Sequence, residues 1–102
     1  MATTTLAKKQ QTITVSGTSE NDINFNDVLK SSNSRLGYAL ITMVSGTAVQ
    51  FDSNDVAIGA GSIALSATGN ITKEIFEIQH GVNLRYKGGA GSEVFNISII
   101  GR

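Results

Sequence analysis

The chain has no cysteine, no proline and no tryptophan, and its single histidine is His80. Without cysteine there are no disulfides, and one histidine cannot assemble the His/Cys sets that hold zinc. Net charge is missing too, because eight Lys and Arg balance eight Asp and Glu. No global positive field therefore collects phosphate backbones or anionic lipid, and neither nucleic acid nor a membrane is expected as a partner. Nowhere do 18 apolar residues run together, and the opening segment MATTTLAKKQQ has no apolar stretch of signal-peptide length. The expectation is a chain made and kept, or assembled, in a cytoplasm. With 102 residues it is one domain that buries about 65% of the surface its unfolded chain exposes. Part of its stability is expected from neighbouring subunits.

Ser, Thr, Asn and Gly supply 40 of the 102 residues, and these types favour turns and strand edges over helix interiors. Residues 1–11 carry Lys8 and Lys9 but almost no large apolar side chain, which reads as a flexible arm that orders on a partner. From Thr12 the period is two: Ile13 and Val15 alternate with polar residues up to Gly17. Residues 19–30 read as a short strand followed by a turn, the alternative being a single helical turn capped by Asn26. After a polar loop at 31–34, Arg35 to Val44 is the clearest central strand. Tyr38, Leu40, Thr42 and Val44 fall on one face, and Ala39, Ile41 and Met43 on the other. Both faces are largely apolar, so a covering surface is implied on each side. Short strands follow around Val49 and Phe51, Val56 to Ile58, and Ile63 and Leu65. A longer one over 71–79 puts Phe76 and Ile78 on one face and Ile75 on the other. The last two apolar alternations, Val82-Leu84-Tyr86 and Phe95-Ile97-Ile99, flank the glycine cluster Gly88-Gly89-Ala90-Gly91. Setting Leu84 opposite Phe95 makes them an antiparallel hairpin with the glycines at its bend. The predicted architecture is all-β: a small antiparallel β-sandwich, jelly-roll-like, over 12–102, with the arm at 1–11.

Catalytic chemistry is hard to assemble from these residues. A phosphate cradle of the nucleotide-binding kind needs a helix after its glycines, yet both glycine clusters, the second being Gly59-Ala60-Gly61-Ser62-Ile63-Ala64, lead into apolar alternation. Asp52 and Asp55 share a turn, while Glu74 and Glu77 point to opposite faces of an extended segment. His80 has no orienting acid or nucleophile at a fixed spacing. Asp22-Ile23-Asn24-Phe25-Asn26 matches the opening of a calcium loop, but Asp27 stands where that loop needs Gly and Asn33 where it needs Glu. Arg85 and Lys87 flank Tyr86, which alternation sends to the opposite face, so the two cations are expected to meet carboxylates on a neighbouring strand or subunit. No enzyme activity and no cofactor are expected.

The Ser/Thr/Asn/Gly-rich run of short strands, the lack of Cys and Trp, the charged opening segment and the closing stretch GVNLRYKGGAGSEVFNISIIGR together resemble small virion proteins of tailed bacteriophages. Within that group, size and single-domain organisation are most similar to capsid decoration (cement) proteins. The resemblance implies a homotrimer on the outer face of a phage head, assembled in the host cytoplasm, that clamps subunits of the major capsid protein. It implies that the terminal arm reaches along the shell, with Thr3, Thr4, Thr5, Leu6, Lys8 and Lys9 as the contact residues. A tail or baseplate adhesin, or a carbohydrate-binding sandwich, shares the architecture and would need exposed aromatics.

Overall fold

A computed structural model describes residues 2–31, 33–53, 56–59 and 61–102. The elements in chain order are β1 (Ala2–Thr5), β2 (Gln10–Thr14), β3 (Glu20–Asn24), α1 (Asn26–Ser31), β4 (Leu36–Ser45), β5 (Val49–Asp52), β6 (Ile63–Leu65), β7 (Lys73–Gln79), β8 (Leu84–Gly88) and β9 (Val94–Gly101). They form two sheets, one ordered β1-β3-β8-β5-β6 and the other β2-β9-β4-β7. Every pairing is antiparallel except β1 with β3, which is parallel. The all-β sandwich expected from the alternation is what the chain forms.

The pairing is nested. Strand β2 pairs with β9, β3 with β8, β4 with β7 and β5 with β6, so β2–β5 run out as one arm of a ribbon and β6–β9 return along it. Pairing of β4 with β9 and of β5 with β8 then joins the rungs into two sheets. Inward side chains at every second position of both sheets meet in one core. Phe51 and Tyr86 come from the five-stranded sheet, Phe76 and Phe95 from the four-stranded one. Their rings interlock across the gap, with centroids 5.1 Å apart for Phe51 and Phe95, 5.4 Å for Tyr86 and Phe95, and 5.6 Å for Phe51 and Phe76. Edge-on aromatic pairs add about 0.5–1.5 kcal/mol each beyond the area they bury.

Four expectations need correction. The predicted hairpin does not exist: β8 and β9 lie in different sheets, and Leu84 and Tyr86 face Phe95, Ile97 and Ile99 across the core instead of beside them. Alternation reports which way a side chain points, and both arrangements satisfy it. The turn expected after Phe25 is α1, whose Val28 and Leu29 are buried. Val56 to Ile58 is not a strand; there the Ile58 N–H donates to Glu20 Oε1 at 2.6 Å, laying the connection over the outer side of β3.

The arm is the fourth. Ala2–Thr5 pair with Asn21–Asn24, and the Leu6 N–H donates to the Asn24 carbonyl at 2.9 Å. The Leu6 side chain is wholly buried. Tyr86, whose phenol is pushed up by burial, shares a side-chain hydrogen bond with Thr4, which acts in the opposite direction. One leucine suffices to fix the segment, because a fully buried Leu contributes about 1.5–3 kcal/mol and the strand supplies backbone partners besides.

Candidate functional site

The glycine cluster holds an anion, and the anion is the chain's own. Glu93 is 1% exposed, and its carboxylate turns back into the 88–92 loop. Ala90 N–H donates to Oε2 at 2.7 Å, while Gly91 and Ser92 N–H donate to Oε1 at 2.9 and 3.1 Å. Successive N–H groups converging on one point make a concave anion site of the kind loops use for phosphate. Burial pushes the Glu93 carboxyl up, but the backbone N–H groups around it outweigh burial and hold it below the usual carboxylate range.

The glycines leave room for this carboxylate. A Cβ on Gly88 would stand 2.7 Å from Glu93 Oε1 and 2.6 Å from Val15 Cγ1. Gly46, with φ +105°, would place one 2.5 Å from Glu93 Cγ, so both backbone conformation and space demand glycine there. The Glu93 carbonyl accepts from Val15 N–H at 2.7 Å, and Gly89 N–H donates to Ala48 at 3.0 Å. The loop is thus a clasp tying the β4–β5 and β8–β9 connections to the residue after β2. Sequence reasoning missed it because it asked what followed the glycines in secondary structure. The available signal was a carboxylate two residues after Gly91.

The calcium-like segment is likewise occupied from within. Both Asp22 oxygens face Arg85, its cross-strand partner, with Nε at 2.9 Å from Oδ1 and a terminal nitrogen at 3.4 Å from Oδ2. Arg85 was expected to meet a carboxylate on a neighbouring strand, and it does. Asn24 Oδ1 accepts from the Asn26 N–H at 2.9 Å, and Asn26 Oδ1 from the Gly81 N–H at 2.8 Å. These side chains order the β3–α1 junction. Of the other motifs, Gly59–Ser62 forms a turn in which the Ser62 hydroxyl bonds Asp52 Oδ2 at 3.0 Å, and Asp55 and Ala60 lie outside the described residues. Glu74 turns inward and Glu77 outward on β7. His80 borders a cavity with Lys30, Asn33, Ser34 and Arg35, and among the described residues no carboxylate lines it to orient the imidazole.

The six residues expected at a capsid contact separate. Leu6 is core, and Thr4 is half-buried against Tyr86. Thr3, Thr5, Lys8 and Lys9 stay exposed along the sheet edge and the bend after it.

The two outer faces of the sandwich differ. On the five-stranded sheet, Glu20 stands opposite Lys87 and Asp22 opposite Arg85, with Asp52 on the far side of Arg85. On the four-stranded sheet, Leu36 (47% exposed) and Val44 (53%) on β4, Ile75 (60%) on β7 and Ile100 (58%) on β9 all face outward. Leu40, half-buried, lies between them as the direct neighbour of Ile75. Arg102 reaches over the Tyr38 ring at 5.8 Å. This face is the second side that the central strand's composition expected to be covered, and none of the described residues covers Leu36, Val44, Ile75 or Ile100 fully. No protein-family model, curated protein or solved structure matches the chain.

Proposed function

We propose that the protein is a non-enzymatic virion structural protein that binds the outside of a phage capsid and stabilises it as an oligomeric, trimeric clamp on the major capsid protein. The nested pairing of β2–β9, with β1 added at one edge, supports reading the sandwich as jelly-roll-like. The observation that carries the reading is the uncovered face of the four-stranded sheet. Leu36, Val44, Ile75 and Ile100 are each about half exposed on this face, set among outward polar residues such as Thr42, Lys73 and Glu77, and exposed apolar side chains rimmed by polar ones mark contact with another protein. Thr3, Thr5, Lys8 and Lys9 supply a second, polar contact along the β1 edge, where an extended strand of the shell can add to the sheet. Several such contacts on one oligomer act at high effective concentration, so each one can be weak while the clamp holds.

The adhesin and carbohydrate-binding alternative has less support. Five of the six aromatic side chains are core, and the sixth, Tyr38, lies under Arg102. Light scattering on the purified chain and co-sedimentation with expanded heads test the clamp. An oligomer that Ile75→Asp with Ile100→Asp converts to a folded monomer is expected. A wild-type monomer at every concentration, with no head binding, overturns it.

A further inference from the structure

At the end of the sandwich beside α1, Lys30, Asn33, Ser34, Arg35 and His80 line one cavity of about 390 Å3. Its frame is fixed by backbone. The His80 N–H donates to the Arg35 carbonyl at 2.8 Å, and the Gly81 N–H donates to Asn26 at the start of α1. The helix end is closed as well. Asn33 adopts φ +57°, its N–H donates to the Lys30 carbonyl at 2.9 Å, and the Ser34 N–H donates to the Leu29 carbonyl at 2.9 Å. These paired bonds around a left-handed residue are those of the Schellman motif. Ser31 Oγ donates to the Val28 carbonyl at 2.9 Å. The carbonyls of Val28, Leu29 and Lys30 in the last turn are therefore engaged by donors of the chain.

The lining chemistry has one sign. An ammonium, a guanidinium, an imidazole, a carboxamide and a hydroxyl can all donate hydrogen bonds, and among the described residues no carboxylate lines the cavity. Among the described residues, none of Lys30, Arg35 and His80 is in an ion pair. A chain of zero net charge has here gathered three of its nine basic side chains. Exposed guanidinium and ammonium groups that line one cavity suit a tetrahedral anion with several acceptor oxygens. We propose that this cavity binds a phosphate or sulfate group, either as the free ion or as an ester on a saccharide. The proposal does not depend on the uncovered sheet face.

Amide chemical shifts of the full chain, followed by NMR during addition of inorganic phosphate at constant ionic strength with chloride as control, test it. Saturable shifts confined to residues 30–35 and 79–81 are expected. Lys30→Gln, Arg35→Gln and His80→Gln should each weaken binding about threefold to fivefold, whereas Lys8→Gln, outside the cavity, should leave it unchanged. The same spectra report whether each variant is folded. Phosphate shifts no larger than those from chloride, shifts spread evenly over all exposed Lys and Arg, or an unaltered affinity in Arg35→Gln would each overturn the site. A parallel titration with a sulfated monosaccharide names the source: tighter binding than inorganic phosphate indicates the ester, and equal or weaker binding the free ion.

Discussion

Replacing Glu93 tests whether the glycine loop is a clasp closed by its own carboxylate. In Glu93→Ala, three N–H groups that donated at 2.7–3.1 Å lose their acceptor beneath a partly exposed loop. Each orphaned donor costs about 1–3 kcal/mol, less where water can enter the vacated space, so a total near 4 kcal/mol is expected. For a domain of this size that is a fall in Tm of about 15 °C. Glu93→Gln keeps the shape. Its amide oxygen can hold the position of Oε1 and its two donors, but the amide nitrogen then faces the Ala90 N–H, and a loss of about 2 kcal/mol follows. Against a total stability of about 5–15 kcal/mol, both changes are large for a loop residue.

The pH dependence separates the clasp from simple packing. The folded-state carboxyl lies below the ordinary value near 4.5, so the folded chain binds a proton at Glu93 less readily than the unfolded chain does. Its contribution is therefore complete above that value and disappears as pH falls through the folded-state value. Urea denaturation of wild type and Glu93→Gln between neutral pH and acid should show the difference in unfolding free energy shrinking on acidification. Other carboxylates titrate in both proteins and cancel in the difference. A gap independent of pH, or a Glu93→Ala protein as stable as wild type, refutes the clasp.

Leu6→Ala should lower stability by about 3 kcal/mol, and deletion of residues 1–6 by more, measured by thermal denaturation; a deletion with unchanged Tm would restore the flexible arm. Asp22→Asn removes the carboxylate that Arg85 bonds through Nε at 2.9 Å, for an expected loss of about 2 kcal/mol, and calcium should leave the wild-type Tm unchanged; a calcium-dependent rise would show that the ion displaces Arg85. Gly46→Ala puts a Cβ against Glu93 at a backbone angle that L residues avoid, and should destabilise by about 2–3 kcal/mol in the same assay.

Much of the fold was legible because the signal that fixes it is local. Period-two alternation located the central strand over 35–44 to within a residue of β4 and grouped Ala39, Ile41 and Met43 on one face, which the structure shows to be the core face. It also placed Ile75 opposite Phe76 and Ile78. Pairing is not local. Leu84 bonds across to Ile23, and Phe95 pairs with Ile13 and Met43, partners dozens of residues away that alternation leaves undefined. The arm failed for a related reason. Composition averaged over 1–11 hides Leu6, and one side chain at the right position outweighs seven polar neighbours. The filled cradle was hidden because its loop and its ligand are contiguous. Searching for a helix after the glycines looked past the acid beside them.

What the chain satisfies internally indicates where it must look outward. Every polar constellation that suggested a ligand at 22–26 or 88–93 turned out to be closed by the chain's own groups: Asp22 by Arg85, Asn26 by Gly81, the glycine loop by Glu93. The outer face of the five-stranded sheet is matched in the same way, charge against charge on neighbouring strands. An apolar face has no such internal remedy, since its cost in water falls only when another surface covers it. Edge pairing along β7 is guarded: the Ile75 N–H is held by Glu74 Oε1 at 3.0 Å, and charged side chains at 73, 74 and 77 disfavour addition of a strand there. The proposed contact therefore falls on the face of the four-stranded sheet, where Leu36, Val44, Ile75 and Ile100 stand, and not along its β7 edge.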